Sequence, residues 1–153
     1  MSVELNKTVP DFTVASTAGD ISLKDYRGKT VVLYFYPKDS TPGCTTQGAN
    51  FRDNYPAFQK ANAVVLGVSR DSLRSHENFK GKMEFPFELL SDGDEALCTQ
   101  FDVIKMKSMY GKKVRGIERS TFVIDAKGKL VREWRGVKVP GHVEEVLEYV
   151  RTL

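Results

Sequence analysis

Apolar and polar positions alternate along the chain with two different periods. Thr30 to Tyr36 (TVVLYFY) and Ala63 to Ser69 (AVVLGVS) are unbroken runs of aliphatic, aromatic and β-branched residues. Such runs mark strands covered on both faces at the centre of a parallel sheet. Arg119 to Asp125 (RSTFVID) and Lys129 to Arg135 (KLVREWR) flank Ala126-Lys127-Gly128, a spacing that predicts an antiparallel hairpin. Weaker strand patterns lie at Asp11 to Ala15, Ile21 to Leu23 and Phe87 to Leu90. Helical patterns fill the gaps, over Cys44 to Ala61, Asp71 to Lys82 (with Ser69 or Asp71 as cap), Gly93 to Phe101 and His142 to Leu153. In the last of these, Val143, Val146, Leu147, Val150 and Leu153 share one face, which suits a helix lying on a sheet. Pro56 is expected to kink or break the first helix near Tyr55, because proline removes a backbone donor and crowds the preceding turn. The order β-α-β-α-β-α-β-β-α predicts an α/β fold, a central mixed β-sheet flanked by helices, compatible with a thioredoxin-like arrangement.

Composition narrows this without redirecting it. The chain has 153 residues, of which 41% are hydrophobic and 28% charged. That is enough for one self-supporting domain, read here as spanning 1–153, and no repeat, linker or low-complexity stretch divides it. The formal net charge of +3 is too small to signal nucleic-acid binding. The opening residues MSVELNKTVP lack a basic segment followed by an apolar run, and no stretch reaches the ~18 apolar residues of a membrane span. A cytoplasmic protein with no membrane partner is therefore expected. Two cysteines with no C-x-x-C between them exclude a secreted disulfide framework, a zinc knuckle and a dithiol redox loop.

The stretch that carries chemistry runs from Thr30 to Asp53. A buried strand ends at Pro37, a short polar loop follows, and a helix opens at Thr41-Pro42-Gly43-Cys44. Threonine suits the N-cap, and proline suits the first helical position, where its missing N–H costs nothing. Cys44 then falls in the first turn, where unpaired amides and the positive helix end favour a thiolate. A helix end supplies at most ~2 kcal/mol. A cation or further hydrogen bonds must supply the rest, with a distant arginine and the Thr41 hydroxyl as candidates. The alternative is a small buried hydrophobe, the ordinary fate of a free cysteine. The polar neighbours Ser40, Thr41, Thr45 and Thr46, at the carboxyl end of a central strand, favour a reactive site instead.

Pro37-x-x-x-Thr41-x-x-Cys44, within FYPKDSTPGCT, resembles the active-site motif of the peroxiredoxin family, in its bacterioferritin comigratory protein (peroxiredoxin Q) subfamily. The likeness continues through Phe51-Arg52-Asp53, Gly67-Val68-Ser69, Leu89-Leu90-Ser91-Asp92 and Arg119-Ser120-Thr121-Phe122-Val123-Ile124-Asp125. The resemblance implies a thioredoxin-like fold and a thiol-dependent peroxidase that needs no cofactor and no metal. It makes Cys44 the nucleophile toward hydrogen peroxide or organic hydroperoxides. Thr41 hydrogen-bonds sulfur and peroxide, Pro37 shields the sulfur, and Arg119 reaches across to hold thiolate and peroxide oxygens. Without the resemblance, Arg119 reads rather as a solvated strand residue pairing with Glu118 or Asp125. Two departures stand out. Gln47 occupies a position where many peroxiredoxins carry glutamate, and Ala49 stands where some members of the subfamily place a resolving cysteine.

With position 49 lacking sulfur, the expected cycle uses one cysteine and an external thiol: glutathione, a glutaredoxin or a thioredoxin. Cys98, beside the Leu97 and Phe101 face of its helix, is either a half-buried structural residue or the resolving partner of an intramolecular two-cysteine cycle. His76 and His142, 66 positions apart, have no partner at ligand spacing and are expected on the solvated surface. The basic stretch Lys105 to Arg119 is read as a solvated loop near the site mouth, with charge suited to steering an acidic reductant, and Trp134 as packing on the sheet. A monomer or weak homodimer is expected. A holdase-type chaperone, in which the fold matters and the thiol does not, is the competing class of function, and it predicts full activity in Cys44→Ser.

Overall fold

In the computed structural model, which describes residues 3–153, the chain forms a seven-stranded sheet with helices on both faces and a separate two-stranded arm. The elements in chain order are β1 (Thr13–Ser16), β2 (Gly19–Ser22), a 3-10 turn (Leu23–Tyr26), β3 (Thr30–Phe35), α1 (Pro42–Lys60), β4 (Ala63–Ser69) and α2 (Leu73–Met83). They continue with β5 (Glu88–Ser91), α3 (Ala96–Gln100), β6 (Ile104–Met109), β7 (Lys112–Ile117), β8 (Ser120–Ile124), β9 (Leu130–Arg135) and α4 (His142–Val150). The sheet order is β2-β1-β5-β4-β3-β8-β9. Strands β3, β4 and β5 run parallel, β1 and β8 join them antiparallel, and β9 pairs antiparallel with β8.

Every residue of β3 is buried, and its alternation divides the core. Val32, Tyr34 and Tyr36 face one side, where they pack with Phe51 and Phe58 of α1, Phe79 of α2 and Val143, Val146 and Val150 of α4. Val31, Leu33 and Phe35 face the other side, with Leu97 and Cys98 of α3, Phe101 and Val103. The strand pattern thus builds two apolar layers on either side of one sheet.

Three expectations are corrected. Helix α1 runs unbroken through Pro56, because Phe51, Tyr55 and Phe58 bury its inner face on both sides of the proline and packing outweighs one missing hydrogen bond. The cap of α2 is Ser72, whose side chain accepts from the Ser75 amide at 3.2 Å, rather than Ser69 or Asp71. The basic segment expected as a loop is a hairpin, β6 paired with β7 from Ile104↔Ile117 to Met109↔Lys112. Arg115 of this arm grips Glu95 with two contacts of 2.6 Å, and Arg70 adds a third at 3.0 Å. These arginines, Arg115 foremost, push the Glu95 carboxyl down to about 2.

Candidate active site

The loop from Pro37 to Thr41 links β3 to α1. Thr41 is the N-cap residue of α1 and Pro42 its first helical residue, as expected. The Thr41 side chain makes no capping bond. Its hydroxyl donates instead to the Lys38 carbonyl at 2.8 Å, which closes the loop on itself. The helix therefore starts without a side-chain cap, and the Gly43 and Cys44 amides have no partner among the described residues. Cys44 is 2% exposed and sits at that bare positive helix end. Pro37 is half-buried at the start of the loop.

Arg119, at the foot of β8, comes to the same place from 75 positions away. Its Nη2 donates to Cys44 Sγ at 3.5 Å and its Nη1 to Gln47 Oε1. It pairs with neither Glu118 nor Asp125. Gly43 makes room for it, since a Cβ there would lie 3.1 Å from Arg119 Nη2. The Arg119 backbone carbonyl is held by the Val137 amide at 2.9 Å. With an amide rather than a carboxylate at position 47, the residue that shares the guanidinium with the sulfur carries no charge to offset it.

Sequence reasoning missed several neighbours. Lys107 of the arm lies within the field of both Arg119 and Cys44, and burial first, then the Arg119 charge, lowers its ammonium below the usual lysine range. The Tyr34 hydroxyl and Gln47 Nε2 are buried without a hydrogen-bond partner among the described residues, and burial, followed by the charge at Cys44, drives the Tyr34 phenol far above its ordinary value. Neither histidine is on the surface, contrary to expectation. His76 is wholly buried, and His142 is buried with Nε2 at 2.8 Å from Thr121 Oγ1. His76 has partners at both ring nitrogens and His142 at Nε2, which sequence spacing cannot reveal. Asp39, Asp71 and His76 bring ligand-type atoms within 4.8 Å of one another. Both ring nitrogens of His76 are already hydrogen-bonded, at 2.7 Å to Asp39 and 2.8 Å to the Leu90 carbonyl, so the ring is committed to an internal polar network.

Cys98 is 0% exposed, more deeply placed than the half-buried position expected. The Asp92 carboxylate accepts from the Leu97 amide at 2.9 Å and the Cys98 amide at 2.7 Å. Burial, reinforced by Asp92, pushes the Cys98 thiol far above a free thiol. Trp134 packs edge-on against His142 and Tyr149 of α4 and donates to Glu145 at 2.8 Å.

The AhpC/TSA family model matches residues 5–133. The chain is 54% identical over 146 residues to Peroxiredoxin Bcp of Xanthomonas campestris, covering 95% of this chain and 91% of that one. Among solved structures, Xylella fastidiosa PrxQ superposes with a TM-score of 0.93 at 46% identity, covering 99% of this chain and 98% of that one, and this likeness makes the fold thioredoxin-like. The bacterioferritin comigratory protein of X. campestris, described in connection with alkyl peroxide reduction, gives a TM-score of 0.87 at 53% identity, with 92% and 90% of the two chains covered. Structures of X. campestris Peroxiredoxin Q include serine variants at two cysteines, spaced more closely than Cys44 and Cys98 are here.

Proposed function

The chain belongs to the AhpC/TSA family of peroxiredoxins, which are thiol-dependent peroxidases, and from that premise we propose a one-cysteine cycle carried by Cys44. The Cys44 thiolate attacks the hydroxyl oxygen of a hydroperoxide, the O–O bond breaks, sulfur becomes sulfenic acid, and the departing alkoxide or hydroxide takes a proton from solvent. Sulfur is oxidised by two electrons and the peroxide is reduced by two. Arg119 and the free Gly43 and Cys44 amides are placed to meet the charge that moves onto the departing oxygen. Because the Thr41 hydroxyl hydrogen is committed to Lys38, its oxygen accepts from the O–H of the attacked atom, which aims the peroxide at the sulfur. Pro37 covers the sulfur.

The substrates are hydrogen peroxide and organic hydroperoxides, the latter by analogy with the X. campestris relative. A thiol then attacks the sulfenic sulfur and releases water, and a second thiol frees Cys44 from the mixed disulfide. Glutathione, a glutaredoxin or a thioredoxin suits that role.

What carries this reading is the Arg119 guanidinium directed at a cysteine in an uncapped first helical turn. The test is the second-order rate with hydrogen peroxide. Cys44→Ser abolishes it, whereas a holdase keeps its activity in that variant. Thr41→Val keeps the shape and loses the oxygen, at a cost of about 1–3 kcal/mol of barrier, the scale of a buried donor left unpaired. A Thr41→Val rate within about threefold of wild type means that Thr41 has no part in the chemistry.

A further inference from the structure

Asp39 sits in the middle of the Pro37 to Thr41 loop with its side chain only 2% exposed. Its carboxylate is fully engaged. Oδ1 accepts from the Tyr36 hydroxyl at 2.6 Å, and Oδ2 accepts from the Ser75 hydroxyl at 2.8 Å and faces His76 Nδ1 at 2.7 Å. The Asp39 amide donates to Asp71 Oδ2 at 2.9 Å, and the same oxygen accepts from the Ser69 hydroxyl at 2.5 Å. The other ring nitrogen of His76 lies 2.8 Å from the Leu90 carbonyl on β5. A carbonyl only accepts, so His76 Nε2 carries a proton. The 2.7 Å contact between Nδ1 and Oδ2 needs one further proton, shared between ring and carboxylate. Taken together the pair is neutral, so it acts on the site through position and not through net charge.

What it positions is visible in the loop. Ser40, the next residue, has φ +63, a left-handed conformation that disfavours a residue with a Cβ and persists only where neighbours over-determine it. Beyond Ser40 comes Thr41, whose hydroxyl bonds back to Lys38. A clamp at Asp39 therefore holds a strained residue, and through it the Thr41 oxygen and the uncapped start of α1.

We propose that Asp39 and His76 are positioning residues for the peroxidase reaction: the pair pins the active-site loop to α2 and β5 and keeps Thr41 and the first turn of α1 in register with an incoming peroxide. This rests on the assignment of Cys44 made above. Once the clamp is gone, Ser40 relaxes and the first turn of α1 frays, because no side chain caps it. Two reactions of Cys44 then diverge. Alkylation needs only access and a thiolate, so it speeds up, whereas peroxide reduction needs preorganised partners, so it slows.

The experiment measures Cys44 oxidation by hydrogen peroxide and Cys44 alkylation by iodoacetamide, resolved by peptide mass spectrometry, in the full chain, with urea unfolding curves to separate local opening from global unfolding. Asp39→Ala is expected to lower the peroxide rate by about tenfold or more and to raise the alkylation rate about threefold, as misplacement of reacting groups predicts. Asp39→Asn rescues the peroxide rate to within about threefold of wild type, because its amide oxygen still accepts from Tyr36 and its amide nitrogen can donate to His76 Nδ1. An Asp39→Ala peroxide rate within about threefold of wild type overturns the proposal, and so does a parallel fall in both rates. If Asp39→Ala does not fold, Ser75→Ala carries the test by deleting one hydroxyl partner of Asp39. The same opposed shifts, about twofold each, are expected there, and unchanged rates overturn the proposal. A wild-type Cys44 that reacts with peroxide no faster than free cysteine overturns the Cys44 assignment and this inference together. A fast wild type with an unchanged Asp39→Ala overturns this inference alone.

Discussion

His142 begins α4 with its ring buried between Thr121 and the edge of Trp134. Burial pushes it down to about 4 from an ordinary histidine value near 6.5. The ring is neutral in the folded protein at pH 5, while the unfolded chain already binds a proton there. Because the unfolded state binds more protons between about 6.5 and 4, stability falls as pH falls through that window. The expected loss between pH 7 and pH 5 is about 2 kcal/mol at ~1.36 kcal/mol per pH unit. Urea unfolding at the two pH values measures it, and His142→Gln should flatten this part of the profile. An equal loss in wild type and variant would assign the acid sensitivity to other groups. Nothing in the sequence announces this burial, because the partners of His142 lie on β8 and β9 and a lone histidine carries no periodic signal. The same holds for Asp39 and His76, joined across 37 positions by a fold that had to exist first. The placement of Thr41 and Cys44 at a helix start was legible from the strand, loop and cap pattern, and the approach of Arg119 to Cys44 was legible only through a family motif.

Among elements, those with a regular apolar period were legible and those without one were not. The buried runs of β3 and β4 appear where expected, and so does the stripe of α4 from Val143 to Val150, because each must hide a continuous apolar surface. Leu153, expected on the same face, lies exposed beyond the end of α4. The β6–β7 arm gave no such signal. Lysines and arginines alternate through it, most of its residues are exposed or half-exposed, and its pairing comes from the turn and from the Arg115–Glu95 contact. Helix α1 shows the reverse case, where packing overrides local preference at Pro56. The same packing predicts an inverted result at Gly48, inside α1. Helix propensity alone credits Gly→Ala with about 1 kcal/mol of stabilisation. A Cβ at Gly48, however, would fall 2.4 Å from Cζ of Phe85, whose ring is itself stacked on Phe87 and edge-on to Phe79. Overpacking of this kind costs about 1–3 kcal/mol. Gly48→Ala is therefore expected to lower unfolding free energy and melting temperature. A stabilised Gly48→Ala protein would mean that the Phe85 loop moves aside without cost.

For the molecule as a whole, the decisive fact is that one sheet separates two cores and each core holds one cysteine. Cys44 belongs to the layer under α1, α2 and α4, and Cys98 to the layer under α3. A disulfide requires Cα atoms within roughly 7 Å, so bringing the two sulfurs together requires a helical segment to leave its layer. Cys98 resists that move, because the Asp92 carboxylate ties down the start of α3 and the buried thiol is held far from its reactive anion. An attacking thiol needs both access and thiolate character, and Cys98 has neither in the folded state. Cys98→Ser should therefore keep its turnover with glutathione or a glutaredoxin within about twofold of wild type, while Cys44→Ser keeps none. Intact mass spectrometry after one equivalent of peroxide should show a chain one oxygen heavier, which shifts to a mixed disulfide when glutathione is added. A Cys44–Cys98 disulfide formed in good yield, together with loss of thioredoxin-supported turnover in Cys98→Ser, would replace the one-cysteine cycle with an intramolecular one and require α3 to detach from its core during every turnover.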